Sequence, residues 1–367
     1  MSTNPATLHD RLKQRIAREI GTPALVVDLD IVERNIRKTQ QLCDAAGIAN
    51  RPHMKTHKSA ALARMQIAAG ATGLTCQKLG EAEAMAEAGI ADLFISYNII
   101  GEEKAARLAR LMEKARVTVA ADNPVTVETL ARAAAIAGRE LSVLVECDTG
   151  RKRAGVETPG DAVALARRIA ATPGLAFTGL MLYPPEDAAA ASNRFVQQVR
   201  EALAGEGIAL TVLSSGGTPN LLSLGSIAGQ TEHRAGTSIF NDRMMIAAGY
   251  AGLADCALSI YTTVVSRGAP ERGILDAGSK VFTTETGWGL QGFGHILEHP
   301  EAEVARFSEE HGILDLSRCN HRPEVGAVVR VIPNHVCPVV NVVGDLVAVR
   351  GGEITGTLDV SARGLLR

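Results

Sequence analysis

Between residues 24 and about 245, short β-branched runs alternate with alanine-rich amphipathic stretches, an alternation that restricts the chain to repeated βα units on a parallel sheet. The runs are Ala24–Asp28, Ala49–His53, Gly73–Cys76, Leu93–Ile95, Val117–Ala120, Ser142–Glu146, Phe177–Met181 and Leu210–Ser214, with a shorter segment at Glu232–Ala235. The stretches between them include Ser59–Ala69, Gly80–Ala88, Lys104–Lys114, Val125–Ala137, Asp161–Ala171 and Ala191–Ala204. They place apolar side chains three and four apart, which is the helical period. Eight or so such units over about 220 residues suit a (β/α)8, TIM-like barrel better than an open sheet, which needs a switch point in its strand order. Lys55, Gln77, Asp148, Tyr183 and Ser215 each follow a run directly, so a closed barrel would gather them on its C-terminal rim.

After about residue 250 the pattern changes to strands and turns, Ala257–Ser266, Arg272–Asp276, Ala327–Ile332 and Leu346–Arg350, with Gly351-Gly352 as a hairpin signal. The organisation expected is an α/β barrel over residues 23–247 and a C-terminal β domain over 248–367. A helix at Leu8–Ile20, within residues 1–22, is expected to pack on the second domain.

Composition narrows the function classes. With 367 residues, 46% hydrophobic and 21% charged, the chain can bury two cores. No apolar run approaches the roughly 18 residues of a membrane span, and Met1–Pro5 has no basic segment leading into an apolar one. A cytoplasmic location with no membrane partner is the resulting expectation. A net charge of −2 without a long basic run argues against a nucleic-acid partner. Cys43, Cys76, Cys147, Cys256, Cys319 and Cys337 are scattered, as free buried thiols would be. His335 stands two positions before Cys337, and a His335-x-Cys337 pair on a β-strand would put imidazole and thiolate on one face. That donor pair suits Zn²⁺ or a similar ion with coordination positions left open.

Lys55 stands in Arg51-Pro52-His53-Met54-Lys55-Thr56-His57-Lys58, one βα unit after Thr22-Pro23-Ala24-Leu25-Val26-Val27-Asp28-Leu29-Asp30. A lone lysine in a basic loop is ordinarily solvated, but one at a strand end is a candidate Schiff-base former. Further words follow in order: Thr75-Cys76-Gln77-Lys78, Ser214-Ser215-Gly216-Gly217-Thr218-Pro219, Pro333-Asn334-His335-Val336-Cys337-Pro338 and Ala362-Arg363-Gly364. Together these resemble the metal-dependent D-threonine aldolase and D-serine dehydratase family, whose fold is that of the alanine racemases.

The resemblance implies pyridoxal 5'-phosphate bound through Lys55, with Gln77 and Arg153 near its ring. Arg153 lies in Asp148-Thr149-Gly150-Arg151-Lys152-Arg153-Ala154-Gly155, which also resembles the racemase word DTGxxRxG. The loops Ser215, Gly216, Gly217, Thr218 and Arg234-Ala235-Gly236-Thr237, with Tyr183, resemble the family's phosphate contacts; the glycine N–H groups and hydroxyls are the expected donors. It also implies a divalent metal, of Zn or Mn/Mg type, on His335 and Cys337. The substrate implied is a small D-3-hydroxy amino acid, cleaved to glycine and an aldehyde, or dehydrated to a 2-oxo acid and ammonia as D-serine or D-3-hydroxyaspartate would be. A homodimer is implied as well.

The chain departs from the family pattern at three places. Arg234 resembles the racemase arginine that faces the pyridine nitrogen and keeps a metal-independent racemase reading open, for which Tyr250 or Tyr261 would supply the second acid/base. His335-x-Cys337 matches the dehydratases, where a well-known aldolase pattern is His-x-Asp. After Tyr183 the chain reads Pro184-Pro185-Glu186, where aldolases place a histidine that acts on the β-hydroxyl. Metal-bound hydroxide, Glu186, His53 and His57 are the substitute bases to consider.

Overall fold

The computed structural model describes residues 5–367. Met1–Asn4, part of the segment read for a secretion signal, lie outside the described residues. Two compact units result, one made of residues 37–55, 62–236 and 365–367, the other, among the described residues, of 5–36, 56–61 and 237–364.

In the first unit eight parallel strands run in the order Ala49–Asn50, Glu232–His233, Val212–Ser215, Leu175–Leu182, Leu141–Cys147, Arg116–Ala121, Asp92–Ile95 and Leu74–Cys76. The ring closes where His53 bridges Thr75 in parallel and the Thr75 amide donates to the Pro52 carbonyl at 2.9 Å. Phe94, Ala120, Leu144 and Met181, from successive strands, form a fully buried interior layer of the kind that fills such barrels. At the end opposite the rim, Arg51 holds Glu232 at 2.7 Å and Asp92 at 2.8 Å. Local signals fix the helices between strands. Asn123 accepts from the Thr126 amide at 2.9 Å to start Pro124–Ala137, and Thr158 accepts from Asp161 at 3.1 Å to start Pro159–Ala171, each with proline at the first helical position.

The second unit holds a nine-stranded sheet, mostly antiparallel. Leu258–Ala269 is its longest strand, paired with Ala24–Asp28 on one side and with Val328–Pro333 on the other. Ala24–Asp28, expected as the first barrel strand, therefore belongs to this sheet, and it also pairs in parallel with Asp345–Arg350. The β-branched pattern of a run reports that it is a strand but not which sheet receives its hydrogen bonds, so the ring begins one run later, at Ala49. The N-terminal helix spans Pro5–Arg15 and continues as a wider turn to Ile20. Its Leu12 and Ile16 are buried against Ala24, Val26, Tyr261, Val347 and Val349. Gly351 and Gly352 take φ of 57° and 81° between Asp345–Arg350 and Glu353–Asp359, the positive pair that a tight hairpin requires. No helix of the described residues is long and apolar enough to cross a membrane.

Candidate active site

In the ring, the side chains near Lys55 come from different strand ends. The Lys55 ammonium lies 3.4 Å from Gln77 Oε1, and that oxygen also meets His53 Nε2 at 3.1 Å. The Lys55 amide points to His53 Nδ1 at 3.4 Å, so the proton of the ring resides on Nε2. The Gln77 amide donates to the Ser96 carbonyl at 3.2 Å, which fixes its oxygen toward the lysine. Burial holds the His53 pKa well below 6.5, and the positive charges of Lys55, Arg234 and Arg153 add to that. His53 is thus a neutral orienting group with both nitrogens engaged.

Arg234 is buried, donating to Ser214 Oγ and to the Leu182 carbonyl at 2.7 Å. Burial brings its pKa down to about 10, partly offset by Glu232 and Glu146, so it stays charged at neutral pH. Arg153 reaches Glu146 at 3.9 Å, and its guanidinium lies 5.0 Å from the Tyr183 ring centroid, with Arg151 at 4.4 Å. Glu146 was not singled out by the sequence reading. Burial pushes it up to about 7, against the pull of Arg153 and Arg234. The signal available was an acidic residue next to the end of a mostly apolar strand, Leu141–Cys147, two positions before Asp148. Asp148 shapes the following loop, accepting from the amides of Gly150 at 2.7 Å and Arg153 at 3.0 Å.

The Ser215-Gly216-Gly217 loop is closely walled. A Cβ on Gly216, whose φ is +88°, would lie 2.4 Å from His233 Cε1, and one on Gly217 would lie 2.7 Å from Tyr183 Cε2. The His233 ring meets the Gly217 carbonyl through Nε2 at 3.0 Å, and burial holds its pKa down to about 4. The expectation that the glycine N–H groups themselves face a ligand is corrected here. Gly216 donates to the Leu182 carbonyl at 3.3 Å and Gly217 to Asn220 Oδ1 at 3.0 Å, because the loop must satisfy its own buried amides. The Ser215 hydroxyl, by contrast, is buried without a hydrogen-bond partner. Thr218, next in this loop, and Gly236, after Arg234, are both buried, and Thr237 opens the last segment of the second unit.

These features suit pyridoxal phosphate. A lysine amine stands at a strand end, guanidinium groups gather about one ring, and an orphaned buried hydroxyl beside a glycine cradle leaves a donor for a phosphate oxygen.

Of the substitute bases, Glu186 is exposed with its carboxylate engaged by Arg151 at 2.8 Å. His57, in the second unit, is fully buried, its Nδ1 accepting from the Ser59 amide at 3.1 Å ahead of helix Ala60–Ala68.

The second unit carries the His335–Cys337 pair. The expected strand ends at Pro333. His335 is the extended residue (φ −140°) that precedes a short helix, Val336–Asn341, and Cys337 lies in that helix's first turn. The strand placement is thus corrected: Asp242 caps the helix by accepting from the Val336 amide at 3.1 Å, which turns the chain away from the sheet. The pair nonetheless meets, for the imidazole is hydrogen-bonded to Cys337 and, through Nδ1, to Glu285 Oε2 at 2.5 Å. Burial acts to lower the His335 pKa, but Cys337, Asp242 and Glu285 together push it up to about 10. Thr56 Oγ1 lies 3.2 Å and Thr237 Oγ1 4.0 Å from the Cys337 sulfur. Among the described residues no group of three or more His, Cys, Asp or Glu side chains is arranged to hold a metal. A nitrogen and a sulfur donor still suit Zn²⁺ or a similar borderline ion and leave its other positions open.

The sequence and fold are similar to those of known proteins. The alanine racemase N-terminal domain model matches residues 27–244, and a D-serine dehydratase-like domain model matches 257–349. The D-threonine aldolase of an Arthrobacter species is 35% identical over 95% of this chain and 94% of its own length. The D-threo-3-hydroxyaspartate dehydratase of a Delftia species is 33% identical over 87% of this chain and 91% of its own. That dehydratase's solved structure superposes with a TM-score of 0.84, covering 93% of this chain and 97% of that one at 29% identity, and a cysteine-to-alanine mutant of it is described in a metal-free form. The D-threonine aldolase structure from Filomicrobium marinum gives a TM-score of 0.88 at 31% identity, covering 94% of this chain and 96% of that one. The chain belongs to the alanine racemase N-terminal domain family, and within it to the pyridoxal-phosphate-dependent lyases that carry the D-serine dehydratase-like domain.

Proposed function

We propose that this protein is a divalent-metal-assisted lyase of D-3-hydroxy amino acids that breaks the Cα–Cβ bond, as a D-threonine aldolase does, to give glycine and an aldehyde. The observation that carries the reading is the Lys55 amine held toward Gln77 Oε1 at a strand end, with the guanidinium groups of Arg151 and Arg153 over the Tyr183 ring and Arg234 buried beside Ser214. Lys55 would hold the cofactor, with Ser215, Gly216, Gly217, Thr218, Tyr183, Gly236 and Thr237 about its phosphate and Gln77, Arg153 and Arg234 about its ring. His335 and Cys337 would hold the metal. When bound, the cofactor supplies a carbonyl carbon for the substrate amine and a ring that draws electrons from Cα, while the metal supplies a Lewis acid for the β-hydroxyl.

The chain's own part is positional and protonic. His53 and Gln77 hold the Lys55 amine in one place, and because His53 and Glu186 are both engaged, Lys55 is the group best placed to carry a proton at the substrate Cα. Arg234 keeps its protons at neutral pH, so it donates to whatever it faces without passing a proton on.

A second reading, dehydration to a 2-oxo acid and ammonia, is favoured by the cysteine donor and by Pro184-Pro185 standing where a base for the hydroxyl would be needed. The test is incubation with D-threonine, D-serine and D-3-hydroxyaspartate, with and without EDTA, assaying aldehyde, 2-oxo acid and the L-enantiomer together. Aldehyde lost on chelation is the expected result. Chelator-sensitive 2-oxo acid would instead select dehydration, and L-enantiomer insensitive to EDTA would overturn both in favour of a racemase. A homodimer is part of the proposal, and a monomer with full activity by light scattering would remove it.

A further inference from the structure

His335 is held by a residue fifty positions earlier in the sequence. Glu285 Oε2 accepts from Nδ1 at 2.5 Å, so Nε2 is the nitrogen left for the hydrogen bond with Cys337. Glu285 is itself fixed by its backbone. The buried Asn334, next to His335 in the chain, donates from one amide nitrogen to the carbonyls of Glu285 at 2.8 Å and Gly292 at 2.9 Å. Asn334 Oδ1 in turn accepts from Arg243 at 2.6 Å, and Arg243 also donates to the Gln291 carbonyl at 3.0 Å. The loop from Glu285 to Gly292 is thereby pinned at both feet, while its middle, Gly287-Trp288-Gly289, takes positive φ at Trp288 and Gly289. Half of the Glu285 side chain is exposed, so its carboxylate is not needed to fill a core.

We propose that Glu285 is a positioning residue of the metal half: by accepting the Nδ1–H of His335 it fixes the tautomer and ring orientation in which Nε2 stands beside the Cys337 sulfur. This rests on the reading of His335 and Cys337 as metal donors. A carboxylate behind a histidine ligand raises its basicity and removes the freedom the ring would otherwise lose on binding, and partners of this kind are worth about 10–100-fold in metal affinity. Asn334 and Arg243 act one step further out, by holding the loop that presents Glu285.

The experiment measures metal affinity directly. Cofactor-loaded protein is stripped of metal and titrated with Zn²⁺ against a chromophoric chelator, and with Co²⁺ while the thiolate-to-cobalt absorption is followed, for the parent and for Glu285→Ala, Glu285→Gln, Glu285→Asp and His335→Ala. The expected order is loss of the cobalt–thiolate spectrum and of tight binding in His335→Ala and a fall of about 10–100-fold in Glu285→Ala. Glu285→Gln, which keeps an acceptor without the charge, and Glu285→Asp should recover part of that loss, with cofactor absorbance and thermal midpoint unchanged throughout the Glu285 set. Parent-like affinity in Glu285→Ala beside loss in His335→Ala overturns the role of Glu285 and leaves the metal site standing. Parent-like affinity in both overturns the metal site and, with it, this inference.

Discussion

Lys55, Gln77, Glu146 and Ser215 stand at or just beyond the ends of parallel strands, whereas His335 and Cys337 stand on an irregular turn after a strand has stopped. In the first case the repeat of the ring delivers each side chain to the same end, and short contacts such as His53 to Gln77 only trim its direction. In the second, direction comes from polar groups far away in sequence: Asp242 caps the turn, Asn334 clamps a loop and Glu285 holds the imidazole. A site on regular elements is specified by periodicity, and a site on a turn by individual long-range hydrogen bonds. Single substitutions should therefore act differently in the two regions.

The largest expected effect is at Lys55. Lys55→Ala removes the group proposed both to hold the cofactor and to carry a proton, and activity should fall between about 10²- and 10⁴-fold, with loss of the covalently held cofactor's visible absorbance. Because the ring is built by backbone pairing, the thermal midpoint should hardly move. A variant that keeps its absorbance and half its turnover would show that the strand-end lysine is a bystander.

The same contrast explains what was legible in the sequence. The alternation of β-branched and alanine-rich segments located the ring strands from Ala49 onward and the hairpin at Gly351-Gly352, since both follow from local periodicity and local φ requirements. It misplaced Ala24–Asp28, because sheet membership is decided by which edges are open to pair, a property of the whole fold. The ring residues were found through words at strand ends. Glu146 was missed because its shifted acidity comes from burial, against the pull of Arg153 and Arg234, which no local pattern encodes. His335 and Cys337 were found as a pair but given the wrong backbone, since the cap that ends the strand, Asp242, lies more than ninety residues earlier.

The ring also makes a smaller prediction, in which two buried groups oppose each other with pH. Burial holds His233 down to about 4 from 6.5 and pushes Glu146 up to about 7 from 4.5. For His233 the stabilising contribution is full above pH 6.5 and is lost as pH falls toward 4, because the unfolded chain takes up the proton more readily. For Glu146 the sign reverses: its folded form keeps the proton more tightly, so the contribution is full below 4.5 and is lost as pH rises through about 7. Each separation corresponds to about 3 kcal/mol, so the two nearly cancel through the shared window. Glu146→Gln should therefore gain stability relative to the parent as pH rises from 4.5 to 7, while His233→Gln, which can still donate to the Gly217 carbonyl, should flatten the acid limb. Urea unfolding across that range reads both. Parallel curves for parent and Glu146→Gln would mean that the carboxylate is not desolvated in solution.

Asp242 tests the other region. Its carboxylate accepts from the Met245 amide at 2.9 Å and the Val336 amide at 3.1 Å, so one buried side chain starts two short helices, Arg243–Ala247 and Val336–Asn341. Each cap is worth about 1 kcal/mol, and Asp242→Ala should cost about 2 kcal/mol and lower the midpoint by a few degrees. Asp242→Asn retains one acceptor and turns an N–H toward the other amide, so it should fall between the two. Burial pushes the Asp242 pKa up to about 6, so part of the cost is offset by no longer burying a charge, and the deficit should grow on acidification, where the parent's carboxyl is neutral and that offset is gone. Metal retention should weaken with the loss of the Val336 cap, since His335 and Cys337 then lack a fixed turn, while the cofactor absorbance stays as in the parent. If Asp242→Ala released the cofactor as well as the metal, direction in the ring would depend on the turn, and the contrast between a periodic site and a capped one would fail.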